Sequence, residues 1–200
     1  SGTISEVNIG EKAIINGASL LKNGTIASTP EAPAFVGQDV IARNFIILSG
    51  SKVDSGALVD SSFVGQGVSM GKQFSAEGCV FFANSEAFHG EAVSVFAGPY
   101  TVTHHKSSLL IAGMYSFYNA GSGTNQSNHM YKLGPLHQGI LERGSKTGSF
   151  AYLLWPCRIG AFSVVMGKNV ASFDTSDFPF SYINVDNEKS LLTPGMNLFT

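Results

Sequence analysis

Between Leu141 and Ala171 an aliphatic or small side chain returns at every sixth position (Leu141, Thr147, Leu153, Ile159, Val165, Ala171). A small residue follows four positions after each of the first four: Ser145, Ala151, Cys157 and Ser163. A helical face repeats every 3.6 residues and a flat strand every 2, so a sustained period of six predicts a short strand and a corner, repeated, with the anchoring side chain turned inward. This is the hexapeptide signature of a parallel β-helix. The same beat opens the chain at Ile9, Ile15 and Leu21, with Ala13, Ser19 and Thr25 behind them; it is interrupted over 27–34 and returns at Val36, Ala42 and Leu48. Val53 and Val59 form a further pair, and Val64, Met70, Ala76, Phe82 and Phe88 a longer run, in which Gly65 and Gly71 directly follow their anchors. Twice, at Leu48 to Val53 and at Val59 to Val64, the anchors are five apart, which predicts a shortened corner.

Composition agrees with this picture. The 23 Gly and a charged fraction of only 13% suit tight corners and two-sided stacking and argue against long amphipathic helices. The nearest apolar stretch, 108–118, contains Gly113 and falls short of the ~20 residues of a membrane span. No basic segment followed by an apolar one opens the chain, so the expectation is a soluble protein with no membrane partner. A net charge of −2 without a Lys/Arg cluster lacks the electrostatic footprint of nucleic-acid binding. Cys79 and Cys157 are far apart, and Cys157 falls on an inward small-residue position, which predicts buried thiols in a reducing compartment.

The Ile/Val-Gly-x-x-small repeat resembles the left-handed β-helix of hexapeptide-repeat acyltransferases and of the C-terminal halves of sugar-nucleotide pyrophosphorylases. The left-handed sense is implied by that resemblance alone, because crossovers between parallel strands are right-handed in nearly all folds. The stretch 98–106 (Gly-Pro-Tyr-Thr-Val-Thr-His-His-Lys) and the stretch 125–138 (Asn-Gln-Ser-Asn-His-Met-Tyr-Lys-Leu-Gly-Pro-Leu-His-Gln) more closely resemble a large bacterial family labelled, by similarity only, as UDP-N-acetylglucosamine pyrophosphorylase-related. The resemblance implies an all-β, left-handed parallel β-helix as a single domain over 1–200, a cytoplasmic location and side-by-side packing as a homotrimer, but no demonstrated reaction and no fixed cofactor, with acyl-CoA the donor left open by the acyltransferases. About nineteen hexads at three to a turn make about six coils and a rod of roughly 30 Å.

The departures matter as much. A pyrophosphorylase needs a nucleotide-binding domain with a Gly-rich loop between strand and helix, and none is present. Gly121-Ser122-Gly123-Thr124 echoes a phosphate loop but reads more simply as a bend in an insertion. Bare coil ends would expose strand edges, which points either to a fragment of a longer chain or to caps made from loops such as 173–199.

Over 94–140 the six-residue beat fails, and His104, His105, His129 and His137 crowd together, with His89 just before. Solenoid insertions commonly build the binding surface, so one long irregular insertion is expected here. His105 is the first candidate for a general base and His104 the second, because imidazole accepts a proton near neutral pH; either could instead bond a backbone carbonyl. No metal site is expected. Neighbouring side chains on an extended segment point apart, which sets His104 against His105 as joint ligands, and His129 with His137 lacks the ligand spacing of β-helical carbonic anhydrases. Asn125, Gln126, Asn128, His129, Lys132 and His137, flanked by Tyr115, Phe117, Tyr118 and Tyr131, mix planar amides with aromatic faces as sugar sites do. A solvated loop stitched to itself is the competing reading. Arg143 and Lys146 could meet a phosphate or carboxylate, although a surface ion pair accounts for Glu142 with Arg143; Trp155-Pro156 reads as a packed corner.

These observations predict a sugar- or sugar-nucleotide-directed transferase-like site on the insertion, where His105, Asn125, Asn128 and His137 converge. The alternative is a non-catalytic ligand-binding or assembly module.

Overall fold

Parallel pairing sets Ala42 beside Val59, Val59 beside Ala76, Ala76 beside Ala92, Ala92 beside Leu110 and Leu110 beside Gln126. Residues 16 to 18 apart in sequence therefore share a column, and the molecule is a parallel β-helix with three flat faces. The computed structural model describes residues 2–105, 107–127 and 138–198. One coil consists of a strand on face A (Leu58–Asp60), one on face B (Phe63–Val64) and one on face C (Ser69–Met70). In the first three coils a single strand (Thr3–Ile9, Leu20–Ala27, Ile41–Leu48) rounds the corner from A to B, which joins those faces into one sheet of 16 strands; face C is a separate sheet of 11. That sheet counts ten parallel rungs and an antiparallel closing strand, Lys189–Thr193, paired with Tyr182–Asp186.

Ten coils replace the expected six, because most of 94–140 is coil. Strands at Phe96–Ala97, Val102–Thr103, Ser108–Ile111, Gly113–Tyr115, Asn119–Ala120 and Asn125–Ser127 continue the three faces. The extra length is confined to 128–138, between Ser127 and Gly139, where other A-to-B corners take one or two residues. The beat fails in sequence for two reasons. Successive inward residues, Ala92, Ala97, Thr103, Leu110, Tyr115, Ala120 and Gln126, lie five to seven apart, and several are polar or aromatic, yet all are buried. The same variation puts Ile47, Phe81, Ala87 and Asn169 inward, where even spacing selected Leu48, Phe82, Phe88 and Ala171.

Each corner carries a column of residues with positive φ, most of them not glycine; Asn187 and Glu188, also at positive φ, belong to the turn of the closing antiparallel pair. That conformation costs an L-residue roughly 1–2 kcal/mol, and each column is held by amides bonded to the coil below. At the A-to-B corner Ser61, Gly78, Ser94 and Ala112 donate N–H to the carbonyls of Arg43, Asp60, Glu77 and Val93. Ile111 is the next acceptor in that series, and it receives the indole N–H of Trp155, two coils on, at 2.6 Å. The indole thus reaches across the A-to-B corner of the intervening coil. It passes over Gly139, where a Cβ would lie 2.3 Å from the ring.

Small residues at the B-to-C corner have a related role: Ser51, Ser85 and Ser145 donate to the carbonyls of Gly65, Gly98 and Gly160 in the following coil. Cys79 and Cys157 are free and buried. Among the described residues no helix is long and apolar enough to cross a membrane.

Candidate functional site

Three residues of the C-to-A corner column, Gln73, His89 and Ser107 (φ 58°, 51° and 70°), stand one above another in successive coils. Their outward side chains form one wall of an open groove of about 700 Å³. The facing wall is the outward column of face A: Ser75, Glu91, Leu109 and Asn125, paired rung by rung. Among the described lining residues Glu91 is the single carboxylate and there is no Lys or Arg.

At the edge of this corner, just after strand Val102–Thr103, His104 turns its Nε2 to the Glu86 carboxylate one coil below. The pairing of Glu86 with Val102 sets that approach. The imidazole also stacks on Phe88, with centroids 5.5 Å apart and planes 17° apart. Gly71, a further coil down, makes this stack feasible, since a Cβ there would lie 2.4 Å from Phe88 Cδ1. His105 meets His104 edge-on at 6.4 Å. Both histidines are exposed. When the carboxylate accepts a hydrogen bond from the Nε2–H of the neutral ring, Nδ1 keeps its lone pair, the arrangement of an oriented general base.

The remaining expected residues are distributed differently. Asn125 lies on the groove, which also begins two residues beyond His105. Gln126 faces the bore and is fully buried. It accepts from the Tyr115 hydroxyl at 2.5 Å and donates to that of Tyr118 at 2.7 Å, and Tyr118 in turn bonds Thr147 at 2.8 Å. Gln126 is therefore withdrawn from any surface site. Tyr115 and Tyr118 are withdrawn with it, and burial pushes both phenols well above their ordinary pKa. Arg143 lies at the B-to-C corner with its guanidinium 4.0 Å over Phe117. Glu142 pairs with Arg158 at 2.9 Å, not with Arg143 as expected. Lys146 projects from face C beside Asn119. Neither Arg143 nor Lys146 lines the groove. Asn128, His129, Lys132 and His137 lie outside the described residues. Gly121-Ser122-Gly123-Thr124 is a coil corner leading into strand Asn125–Ser127, tied by Thr124 Oγ1 donating to the Gly121 carbonyl at 2.6 Å.

Sequence reasoning missed Glu86, Glu91, Gln73 and Ser75. The available signal is the coil period itself: residues 73, 89 and 107 are one coil apart each. Among the described residues no three His, Cys, Asp or Glu come together as metal ligands would.

A family model described as a domain of unknown function, DUF4954, matches residues 1–200. Over 188 residues the chain is 28% identical to an uncharacterized protein of Treponema pallidum (strain Nichols), covering 93% of this chain and 26% of that one. It thus spans about a quarter of that relative. Among solved structures, the Arabidopsis UDP-N-acetylglucosamine acyltransferase is 14% identical at a TM-score of 0.44, over 97% of this chain and 74% of that one. The Campylobacter jejuni UDP-N-acetylglucosamine acyltransferase is 15% identical at 0.36, over 96% and 74%. Likenesses at this level assign no chemistry to the chain, and the matched family's description carries no pyrophosphorylase label.

Proposed function

The chain belongs to the DUF4954 family, and from that premise, which supplies no reaction, we propose that it binds a sugar in the corner groove and deprotonates a hydroxyl or amine of it with His104. The observation that carries this reading is the His104–Glu86 pair stacked on Phe88, the residue before His89 of the groove that Gln73, Ser75, Ser107 and Asn125 also line; His104 and Glu86 themselves are not among the described lining residues. Amide and hydroxyl groups suit sugar hydroxyls. Glu91, unaccompanied by a described cation in the lining, favours an amino sugar over the diphosphate of a sugar nucleotide or of acyl-CoA. His105 then serves as a neighbour of the base. The groove then holds the acceptor alone, and the reaction class that fits an oriented base beside an amine or hydroxyl is acyl transfer, with the acyl-CoA donor approaching from outside the groove and its thiol as the leaving group; two buried free thiols fit a reducing, cytoplasmic setting.

The test is ligand-observed NMR against a hexose and hexosamine panel, followed by an acetyl-CoA acyl-transfer assay. Hexosamine binding should be weakened by Glu91→Ala, and transfer should fall ~10²–10⁴-fold in His104→Gln and Glu86→Gln. Binding indifferent to Glu91→Ala, or transfer unchanged by either substitution, would overturn the assignment.

A second reading rests on face B. Its outward column Ile46, Phe63, Val80, Phe96, Met114 and Ile140 is apolar over six rungs, with Ile46, Phe96 and Met114 more than 40% exposed. Such a stripe supports side-by-side packing as a homotrimer and an assembly role. Sedimentation should give an assembly whose mass is a multiple of three chains and which Phe96→Glu breaks at this face; a mass in the unaltered chain that is not such a multiple removes this reading.

A further inference from the structure

The outward side of face A bears a row of charges in a specific order. Parallel pairing aligns Lys22 with Arg43, Arg43 with Asp60, and Asp60 with Glu77. The row reads two cations and then two carboxylates on four successive rungs about 4.8 Å apart. Beside it, Leu20, Ile41, Leu58 and Ser75 occupy the matching rungs of the other outward column. Leu58 is 46% exposed. Like charges on neighbouring strands repel, and the row contains two such contacts in the isolated chain. Among the described residues the ion pairs are Lys52–Asp54, His104–Glu86 and Arg158–Glu142, and none of the four row residues takes part.

We propose that this surface is a homodimer interface: face A packs against face A of a second copy of the chain, antiparallel along the coil axis, about a two-fold axis that runs parallel to the strands between coils 3 and 4. That operation reverses the order of the rungs and keeps each column opposite itself. Lys22 then faces the partner's Glu77, and Arg43 faces the partner's Asp60, with both pairs repeated by symmetry. Ile41 faces the partner's Leu58, which covers the exposed apolar side chain at the centre. The row + + − − is self-complementary under this two-fold and clashes under a parallel arrangement, where each charge would meet its own kind. An isologous interface needs this self-complementarity, and charge order of this sort sets register and excludes wrong alignments. Sheets stacked face to face stand about 10 Å apart, a gap that side chains as long as Lys, Arg and Glu can span. The interface takes coils 2 to 5, so Ser75 at the near end of the groove comes to face the partner's Leu20, the partner's first coil stands beside Glu91, and Leu109 and Asn125 stay open.

Charge reversal tests this directly, by sedimentation velocity on the full chain in about 0.05 M and about 0.5 M salt. The unaltered chain should associate in pairs, more weakly at high salt. Arg43→Glu alone and Asp60→Arg alone should each halve the assembly mass, with dimerisation weakened at least ~10-fold. The two single variants mixed together should reassociate, because the new carboxylate of one then meets the new guanidinium of the other, and the double swap should dimerise by itself. Unchanged circular dichroism and melting of each variant confirm that the coil is intact. A chain that shows no pairwise association at low salt overturns the proposal, as do single reversals that leave the mass unchanged or a mixture that fails to reassociate.

Discussion

At the scale of single residues, the stability of the coil depends on what fits between three faces. Ala151 and Ser163 are fully buried, at the positions where the sequence repeat calls for a small side chain. Ala151→Leu should overfill the bore and lower stability by about 1–3 kcal/mol. Ser163→Leu should cost more, because the Ser163 hydroxyl also accepts the Ser181 N–H at 3.1 Å, and the lost partner leaves a buried amide unpaired. Denaturant titration measures both, and a change within a few tenths of a kcal/mol for Ala151→Leu would show that the position tolerates bulk. Gln126 illustrates the opposite case, a polar residue on the inward side. It is acceptable there because Tyr115 and Tyr118 supply both a donor and an acceptor, and a buried polar group so satisfied costs little.

At the scale of elements, the informative unit is the corner. A strand of two or three residues contributes few hydrogen bonds, and the positive-φ corner amides connect each coil to the one below. Where 128–138 adds length to one A-to-B corner, the Trp155 indole takes up the Ile111 carbonyl. Trp155→Phe keeps most of the buried ring and removes that N–H, so it should cost about 1–3 kcal/mol through the carbonyl left without its donor. Trp155→Ala should cost about 3–5 kcal/mol, since the cavity adds to the lost bond. Equal melting temperatures for Trp155→Phe and the unaltered chain would show that the hydrogen bond is incidental. The candidate base depends on a corner in the same way: Gly71 gives Phe88 its place, and Phe88 gives His104 its plane.

At the scale of the molecule, ionisable groups inside the bore link stability to alkaline pH. Burial pushes the Cys157 thiol up to about 11 from 9.0 and raises Cys79 as well. Burial also raises the phenols of Tyr115 and Tyr118. In each case the folded chain retains a proton that the unfolded chain releases. Stability is therefore complete below the unfolded thiol pKa, near 9.0, and declines as pH rises toward about 11 for Cys157, with the tyrosines adding to the decline above roughly 10. Urea midpoints measured between pH 8 and 10.5 should hold to about pH 9 and then fall, and Cys157→Ala should flatten the first part of that fall. A flat profile in the unaltered chain would mean that these groups reach solvent in the native state.

The sequence by itself determined the architecture. The period of six, the small residues four positions on and the glycines after anchors require a strand and a corner in alternation, and the inward anchors Leu141, Thr147, Leu153, Ile159 and Val165 are buried as that rhythm demands. Cys157 was legible as a buried thiol for the same reason. Only the tertiary structure decided how far the coil extends, because corner lengths vary between five-residue and seven-residue steps and polar residues such as Gln126 occupy inward positions when their partners come from other coils. It alone also decided what meets on the surface. Glu86 and His104, Gln73 with His89 and Ser107, and the charge row from Lys22 to Glu77 each join residues from successive coils. Parallel stacking makes such residues neighbours, whereas local periodicity reports only which side of one coil a residue occupies.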